Sequence, residues 1–248
     1  LETSAALRER QRARLGDRVR FLDRLPQRFR GAIVANEVAD ALPVHLVSWT
    51  AGGIYERGVR EGFAWEDRPA TGELLEQARR IDVPAPYVSE IGLAARAWMR
   101  SLAGCLERGV ILVIDYGFPR REYYHPQRAS GTLMCHYRHQ AHADPFAHPG
   151  EEDITSHVDF SALAEAAREA GAELAGYATQ AQFLVNCGIT DVLAEANAEN
   201  ALRYAPIAAQ AQKLLSPAEM GELFKVLAVT RDAPAPAGFS RGDRSHTL

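Results

Sequence analysis

What this 248-residue sequence lacks narrows its function before any motif is read. It has three cysteines, Cys105, Cys135 and Cys187, which are far apart and form no CxxC pair. That argues against a disulfide framework or a structural zinc site, and for scattered buried thiols in a cytoplasmic protein. No stretch approaches the ~20 apolar residues of a membrane span. There is no basic excess: the formal net charge is -4 with 24% charged residues, which leaves no nucleic-acid footprint. Arg greatly outnumbers Lys, a bias expected of a GC-rich bacterial genome rather than of a binding device. The opening Leu1-Glu2-Thr3-Ser4 has no Met, basic n-region or apolar h-region, and reads like the middle of a domain. There is no GxSxG elbow for a serine hydrolase. Five histidines, His136, His139, His142, His148 and His157, cluster in sequence but match no HExxH or other ligand spacing, so no metal is expected. No internal repeat is visible.

What is present is a chain with 47% hydrophobic residues, enough for one large core or at most two modest ones. Thr3–Leu15 is a helix candidate that Thr3 or Ser4 can cap. Val19–Leu22 is a short strand candidate. Gly31–Ala35 is a continuous apolar run that ends at Asn36-Glu37, as in a strand buried on both faces. His45–Thr50 and Ile54–Arg60 flank Gly52-Gly53 and predict a hairpin. Helices are expected over Thr71–Ile81 and Ile91–Glu107. Val110–Ile114, stopped by Asp115-Tyr116-Gly117, is the clearest strand. Pro119–Gly150 is expected to be a long loop. A helix over Val158–Gly171 with Asp159 or Ser161 near its cap, a strand over Leu174–Thr179, helix over most of Phe183–Leu215 and a strand over Phe224–Arg231 complete the pattern. Residues 232–248 read as a flexible tail, polar and rich in Pro and Gly. Strands alternating with helices predict an α/β, mainly parallel, doubly covered sheet. Ligands bind such sheets beyond the strands' carboxyl ends, which here carry Asp23, Asn36, Glu37 and Asp115.

Three segments could carry chemistry. Asn36-Glu37-Val38-Ala39-Asp40 places an amide and two carboxylates past a buried strand, and Glu37 and Asp40 share a face if the turn is helical. Asn and Asp are also ordinary turn and cap residues. Asp115-Tyr116-Gly117 follows the clearest strand. Glu151-Glu152-Asp153-Ile154-Thr155-Ser156-His157 precedes a helix; its acids suit either the helix dipole or a site built for a cation.

Taken together, Asn36-Glu37-x-x-Asp40-Ala41-Leu42-Pro43, Asp115-Tyr116-Gly117, Gly131-Thr132-Leu133 with His139, and Gly150-Glu-x-Asp153-Ile154-Thr155-x-His157-Val158-Asp159-Phe160 resemble the MidA-type S-adenosylmethionine-dependent methyltransferases. Thr179-Gln180-x-x-Phe183-Leu184 and Met220-Gly221-x-x-Phe224-Lys225-Val226 extend the match along the chain. The resemblance implies a Rossmann-like class I methyltransferase sheet with helices on both faces, a β-hairpin insertion and a long loop insertion. It implies a partial domain over residues 1–231, with insertions near 45–60 and 118–157. It also implies that the first strand and the Gly-rich turn under the cofactor precede Leu1 in a longer protein.

The cofactor implied is S-adenosyl-L-methionine, with Glu2 as a ribose ligand and Asp23, Asn36 and Glu37 beside it. The implied partner is a protein substrate methylated on arginine, with a homologue of a respiratory complex I subunit as the one the resemblance suggests. A guanidinium, which holds its proton throughout the ordinary pH range, needs carboxylates to localise its charge and take its proton. Glu37, Asp40, Asp115 and Asp153 are the candidates, Glu37 first, and Tyr116, Tyr123, Tyr124 and Tyr137 are candidates for covering the cation. A non-enzymatic assembly protein on the same fold and a small-molecule methyltransferase remain open alternatives.

Overall fold

The computed structural model describes residues 1–2, 4–138, 140–195 and 201–248. Thr3, His139 and residues 196–200, read from sequence as a cap, a motif histidine and helix, lie outside the described residues. Along the chain, helix α1 (Ala5–Leu15) is followed by strands β1 (Phe29–Asn36), β2 (His45–Thr50), β3 (Gly53–Arg60) and β4 (Ala64–Pro69). Helix α2 (Gly72–Ala78), strand β5 (Tyr87–Ile91), helix α3 (Leu93–Cys105) and the long strand β6 (Leu106–Phe118) come next. Then come helix α4 (Arg120–Tyr123), strands β7 (Met134–Tyr137), β8 (Gln140–His142), β9 (Asp153–Thr155) and β10 (Val158–Asp159), and helix α5 (Phe160–Glu169). Strand β11 (Glu173–Thr179), helices α6 (Gln180–Asn186), α7 (Ile189–Glu195), α8 (Ala201–Leu215) and α9 (Met220–Leu223), and strand β12 (Phe224–Arg231) complete the order.

The main sheet has the order β1-β6-β12-β11, with β10 pairing the end of β6. β1 and β6 are parallel, and β12 is antiparallel to both its neighbours, so β1, β6 and β11 point the same way. The expected mainly parallel sheet therefore holds in direction, with β12 reversed. The reversal follows from the connection: Lys225, at the start of β12, pairs with Thr179, at the end of β11, so α6–α9 return the chain to the end of the sheet it left. A return on the same end makes an antiparallel neighbour without a crossover.

The unbroken apolar run in β6 is explained by cover on both faces. Ile111 and Val113 pack with Leu227, Val229, Met99 of α3 and Phe160 and Leu163 of α5. Val110, Leu112 and Ile114 face Val226, Ala228, Phe183 of α6 and Phe239. Helix starts are closed where the sequence offers caps: the Ser4 hydroxyl accepts from the Leu7 amide and the Asp159 carboxylate from the Ala162 amide.

Several expectations are corrected. The predicted hairpin is β2–β3, but it belongs to a four-stranded antiparallel sheet, β4-β3-β2-β5. That sheet packs α2 and the aromatic side chains Trp49, Tyr87, Tyr123 and Tyr124 into a second core. Val19–Leu22 forms no strand, so Asp23 is not at a strand end; it is exposed and paired with Arg8 at 2.6 Å. The long 119–150 loop contains β7 and β8, which with β9 form a three-stranded sheet. Cys187 is exposed, whereas Cys105 and Cys135 are buried.

The largest correction concerns residues 232–248, expected to be a flexible tail. They strap across β11. The Asp243 carboxylate accepts from the Tyr177 amide at 2.9 Å, and the Arg244 amide donates to the Tyr177 carbonyl at 2.6 Å. Phe239 is buried over Gly176, where an added Cβ would stand 2.2 Å from its ring. A polar, Pro-rich composition hides one aromatic anchor and one carboxylate that suffice to dock the segment. Phe239→Ala is therefore expected to cost about 3 kcal/mol in denaturant unfolding; an unchanged midpoint would mean that the strap contributes no packing.

Candidate active site

The parallel register sets Asn36, the last residue of β1, beside Ile114, four residues before β6 ends at Phe118. The Glu37 amide donates to the Ile114 carbonyl at 2.9 Å and holds the end of β1 against β6. Asn36 and Glu37 are both exposed there, and the Asn36 side-chain amide donates to Glu37 Oε1 at 3.1 Å. Glu37 has φ 49°, in the left-handed region that non-glycine residues seldom occupy.

One residue further along β6, Asp115 is completely buried. Its Oδ2 accepts from the amides of Ala39 and Asp40 at 3.0 and 3.2 Å, and its Oδ1 from the Tyr116 amide at 2.9 Å. Burial, with the nearby Asp40 charge, pushes its pKa up to about 7, while the three amides pull the other way. Asp40 is itself buried, accepts from the Tyr116 hydroxyl at 2.7 Å, and among the described residues its Oδ1 has no partner. Burial and that same carboxylate drive the Tyr116 phenol well above its usual range, so it stays a donor.

Two insertions close over this network. The Asp40 carbonyl accepts from the Ser156 amide at 3.2 Å. His157 lies edge-on between Tyr116 and Phe118, with ring centroids 5.3 and 5.2 Å away. Its pKa falls to about 4, first through burial and then through Arg128 and Lys225. Behind it, Thr132 accepts from the His157 amide at 3.1 Å and donates to Glu90 Oε2 at 3.0 Å. Glu90 is 1% exposed and also accepts from the Thr132 and Leu133 amides, both at 2.9 Å, and the Tyr123 hydroxyl at 3.1 Å. Gly131 leaves room for this carboxylate: a Cβ there would lie 2.4 Å from Oε1. A small enclosed cavity of about 40 Å³ lies between Ala39, Glu90, Tyr123, Ser156 and His157.

Of the residues singled out from sequence, the fold brings Asn36, Glu37, Asp40 and Asp115 to one place. Asp153 is exposed on β9, and among the described residues no hydrogen bond joins it to Asp40 or Asp115. Glu2 accepts from the Ser4 amide at 2.8 Å and Gln11 Nε2 at 3.2 Å, next to α1, which buries no residue. Tyr123 and Tyr124 cannot cover a ligand, because both are buried and donate to Glu90 side-chain and backbone oxygens. Tyr137 stacks on His148 at 3.9 Å. Sequence reasoning missed Glu90; the available signal was a lone acid inside the strand-like run Tyr87-Val88-Ser89-Glu90-Ile91. An open groove of about 570 Å³ between the segment after β6, the start of β12 and the C-terminal strap has Arg121, Lys225 and Arg244 against Glu122, a lining that repels a cation.

A family model described as "Putative S-adenosyl-L-methionine-dependent methyltransferase" matches residues 1–178. The chain belongs to that family. The mitochondrial "Protein arginine methyltransferase NDUFAF7" of Mus musculus is 30% identical over 214 residues, covering 79% of this chain and 45% of that protein. The Rattus norvegicus protein of the same name is 28% identical over the same shares. The chain thus spans less than half the length of the curated relatives it matches. Two solved structures from Burkholderia thailandensis are more similar. An uncharacterised protein is 52% identical with a TM-score of 0.95, covering all of this chain and 70% of its own. Another, solved bound to S-adenosyl-homocysteine, is 53% identical with a TM-score of 0.93, covering 99% of this chain and 67% of its own. The fold is the Rossmann-like fold of this family.

Two measurements check the site's framework. Glu90→Gln places an amide against amide donors and should lower stability by about 2 kcal/mol. Hydrogen exchange at Thr132 and Leu133 should accelerate with it, whereas unchanged protection would show that Glu90 does not hold that loop. The second concerns pH. The folded His157 value of about 4 lies below the ordinary 6.5, so its contribution to stability is full above pH 6.5. It is lost as the pH falls toward 4, because only the unfolded ring takes up a proton in that window. Unfolding near pH 5 should take up about one more proton in the wild type than in His157→Gln; equal uptake would refute the assignment.

Proposed function

We propose that this chain carries the substrate side and part of the cofactor side of an S-adenosyl-L-methionine-dependent methyltransferase that acts on arginine in a protein. The observation that carries the reading is the exposed Asn36-Glu37 pair beside the buried Asp40–Tyr116–Asp115 network, where β1 ends against the parallel strand β6. Family membership, the S-adenosyl-homocysteine bound by a 53% identical protein, and the arginine methyltransferase name of the 30% identical relative support it. A homologue of a respiratory complex I subunit is the partner that the family resemblance adds.

The residues present fit the cofactor chemically. Asn36 and Glu37 are solvent-facing, and Asp40 Oδ1 is a buried acceptor without a partner among the described residues. Glu2 and Asp23 are acids whose oxygens retain lone pairs for hydroxyl groups. When bound, S-adenosyl-L-methionine supplies an electrophilic methyl group. Glu37 then has two tasks: to hold the guanidinium bidentately, and to take the proton released when nitrogen gains the methyl. Asp40, held by the Tyr116 hydroxyl, adds negative charge behind it. Asp115 touches no solvent and acts as a positioning residue, fixing the amides of Ala39 and Asp40. Asp153, on β9, would meet a substrate only at its periphery. The groove with Arg121, Lys225 and Arg244 suits a cationic substrate less than the exposed Asn36–Glu37 pair does.

Glu37→Gln, made in the protein as encoded by its gene, should lower the methylation rate at least ~100-fold, the lower end of what a general base contributes. S-adenosyl-homocysteine affinity should stay within a few-fold. Near-normal turnover would remove Glu37 from the mechanism, and no measurable S-adenosyl-homocysteine binding by the wild type would favour a non-enzymatic assembly role. Because Glu37 sits at positive φ, Glu37→Gly should keep or raise stability by up to about 1 kcal/mol while losing activity. A large drop in stability would make Glu37 a structural residue.

A further inference from the structure

The β7–β8–β9 sheet is too small to hold itself together by packing. Its strands are three or four residues long, and Cys135 is its one deeply buried apolar side chain. Such small sheets need another anchor. Around Cys135, three potential ligands converge from three parts of the insertion. Cys135 on β7 pairs directly with His142 on β8, and Glu152 immediately precedes β9. The Sγ, a ring nitrogen and a carboxylate oxygen all lie within 4.8 Å of one another.

Glu152 is buried to 1% side-chain exposure, and among the described residues neither of its carboxylate oxygens has a hydrogen-bond partner. Both ring nitrogens of His142 are likewise buried without hydrogen-bond partners among the described residues. Nε2 lies 3.0 Å from Glu152 Oε2, but not in hydrogen-bonding geometry. Leaving a carboxylate and an imidazole buried and unsatisfied is costly, and native proteins pair such groups or give them to a metal.

We propose that Cys135, His142 and Glu152 bind a zinc-class divalent cation that clips the β7–β8–β9 insertion together. Sulfur, imidazole nitrogen and carboxylate oxygen form a mixed donor set that suits Zn²⁺ and excludes the all-oxygen ions Ca²⁺ and Mg²⁺. Zinc bonds of ~2.0–2.3 Å set tetrahedral ligands some 3.5 Å apart, so a small contraction of the cluster completes the site. A water fills the fourth position. His142 keeps 28% side-chain exposure, which gives the ion an entry path. The sequence concealed this site because its ligands come from three separate strand segments, with the irregular spacings 135, 142 and 152 rather than a compact motif.

The clip also bears on the strand-end site. β9 runs directly into Thr155-Ser156-His157, whose amide and ring close over Asp40 and Tyr116. A cation at Glu152 would fix where that segment begins.

The test uses the full chain. After incubation with ZnCl₂ and gel filtration, it should retain about one equivalent of zinc by atomic emission, as expected of a single site. Co²⁺ in place of zinc should give a near-ultraviolet thiolate charge-transfer band. Cys135→Ser should abolish the band, Glu152→Gln should weaken zinc binding at least ~10-fold, and Cys187→Ser should change neither. If Cys135→Ser fails to fold, the Co²⁺ band of the wild type and the Glu152→Gln affinity still decide. A chain that leaves gel filtration without zinc, a Co²⁺ complex without the thiolate band, or unchanged affinity in Glu152→Gln would each overturn the proposal.

Discussion

The buried carboxylate of Asp115 is the constraint on which the strand-end architecture rests. It takes amide hydrogens from its own strand and from Ala39 and Asp40, which lie 76 and 75 residues earlier in the chain. An ionised group with no solvent contact is expensive, and its raised pKa records that expense. The three amides offset it, and in return the loop after β1 has a single position relative to β6. Everything nearby takes its place from there: Asp40 meets the Tyr116 hydroxyl, Tyr116 meets His157, and the Asp40 carbonyl receives Ser156. Replacing Asp115 with an apolar residue would leave three buried amides without acceptors, a larger loss than that of one charge.

Around that centre the two insertions play matched parts. The four-stranded sheet delivers Glu90, and the three-stranded sheet leads into Ser156 and His157. They meet through Thr132, which accepts from one and donates to the other. The Rossmann-like sheet sets the level of the strand ends; the insertions decide what surrounds them. This division is common in α/β folds, where function is carried by segments grafted onto a shared scaffold.

Much of the scaffold was legible in sequence because its signals are local. The apolar run Val110–Ile114 is a strand because both its faces are covered, and Phe224–Arg231 has the bounds that its pattern suggests. The polar break at Asn36-Glu37 is where β1 ends. What was not legible depends on contacts distant in sequence. Nothing near Glu90 reveals that its partners are Thr132 and Leu133. The reversed direction of β12 depends on where α6–α9 leave the chain, which periodicity does not encode. Tyr123 and Tyr124 resemble exposed aromatic loop residues until α2 and β5 are seen to bury them. Asp115 looked like a reactive acid, yet its surroundings make it a brace.

The strap formed by the last residues has a consequence for how the sheet can associate. β11 is a border strand, and such borders invite pairing with other chains. The Asp243 carboxylate and the Arg244 amide occupy the Tyr177 backbone on that border, and Phe239 caps the face beside it. The opposite border, β1, carries no such guard among the described residues, and Val34 there is 63% exposed. Among the described residues the two margins of the sheet thus differ: β11 is held at Tyr177 by the strap, and β1 is not.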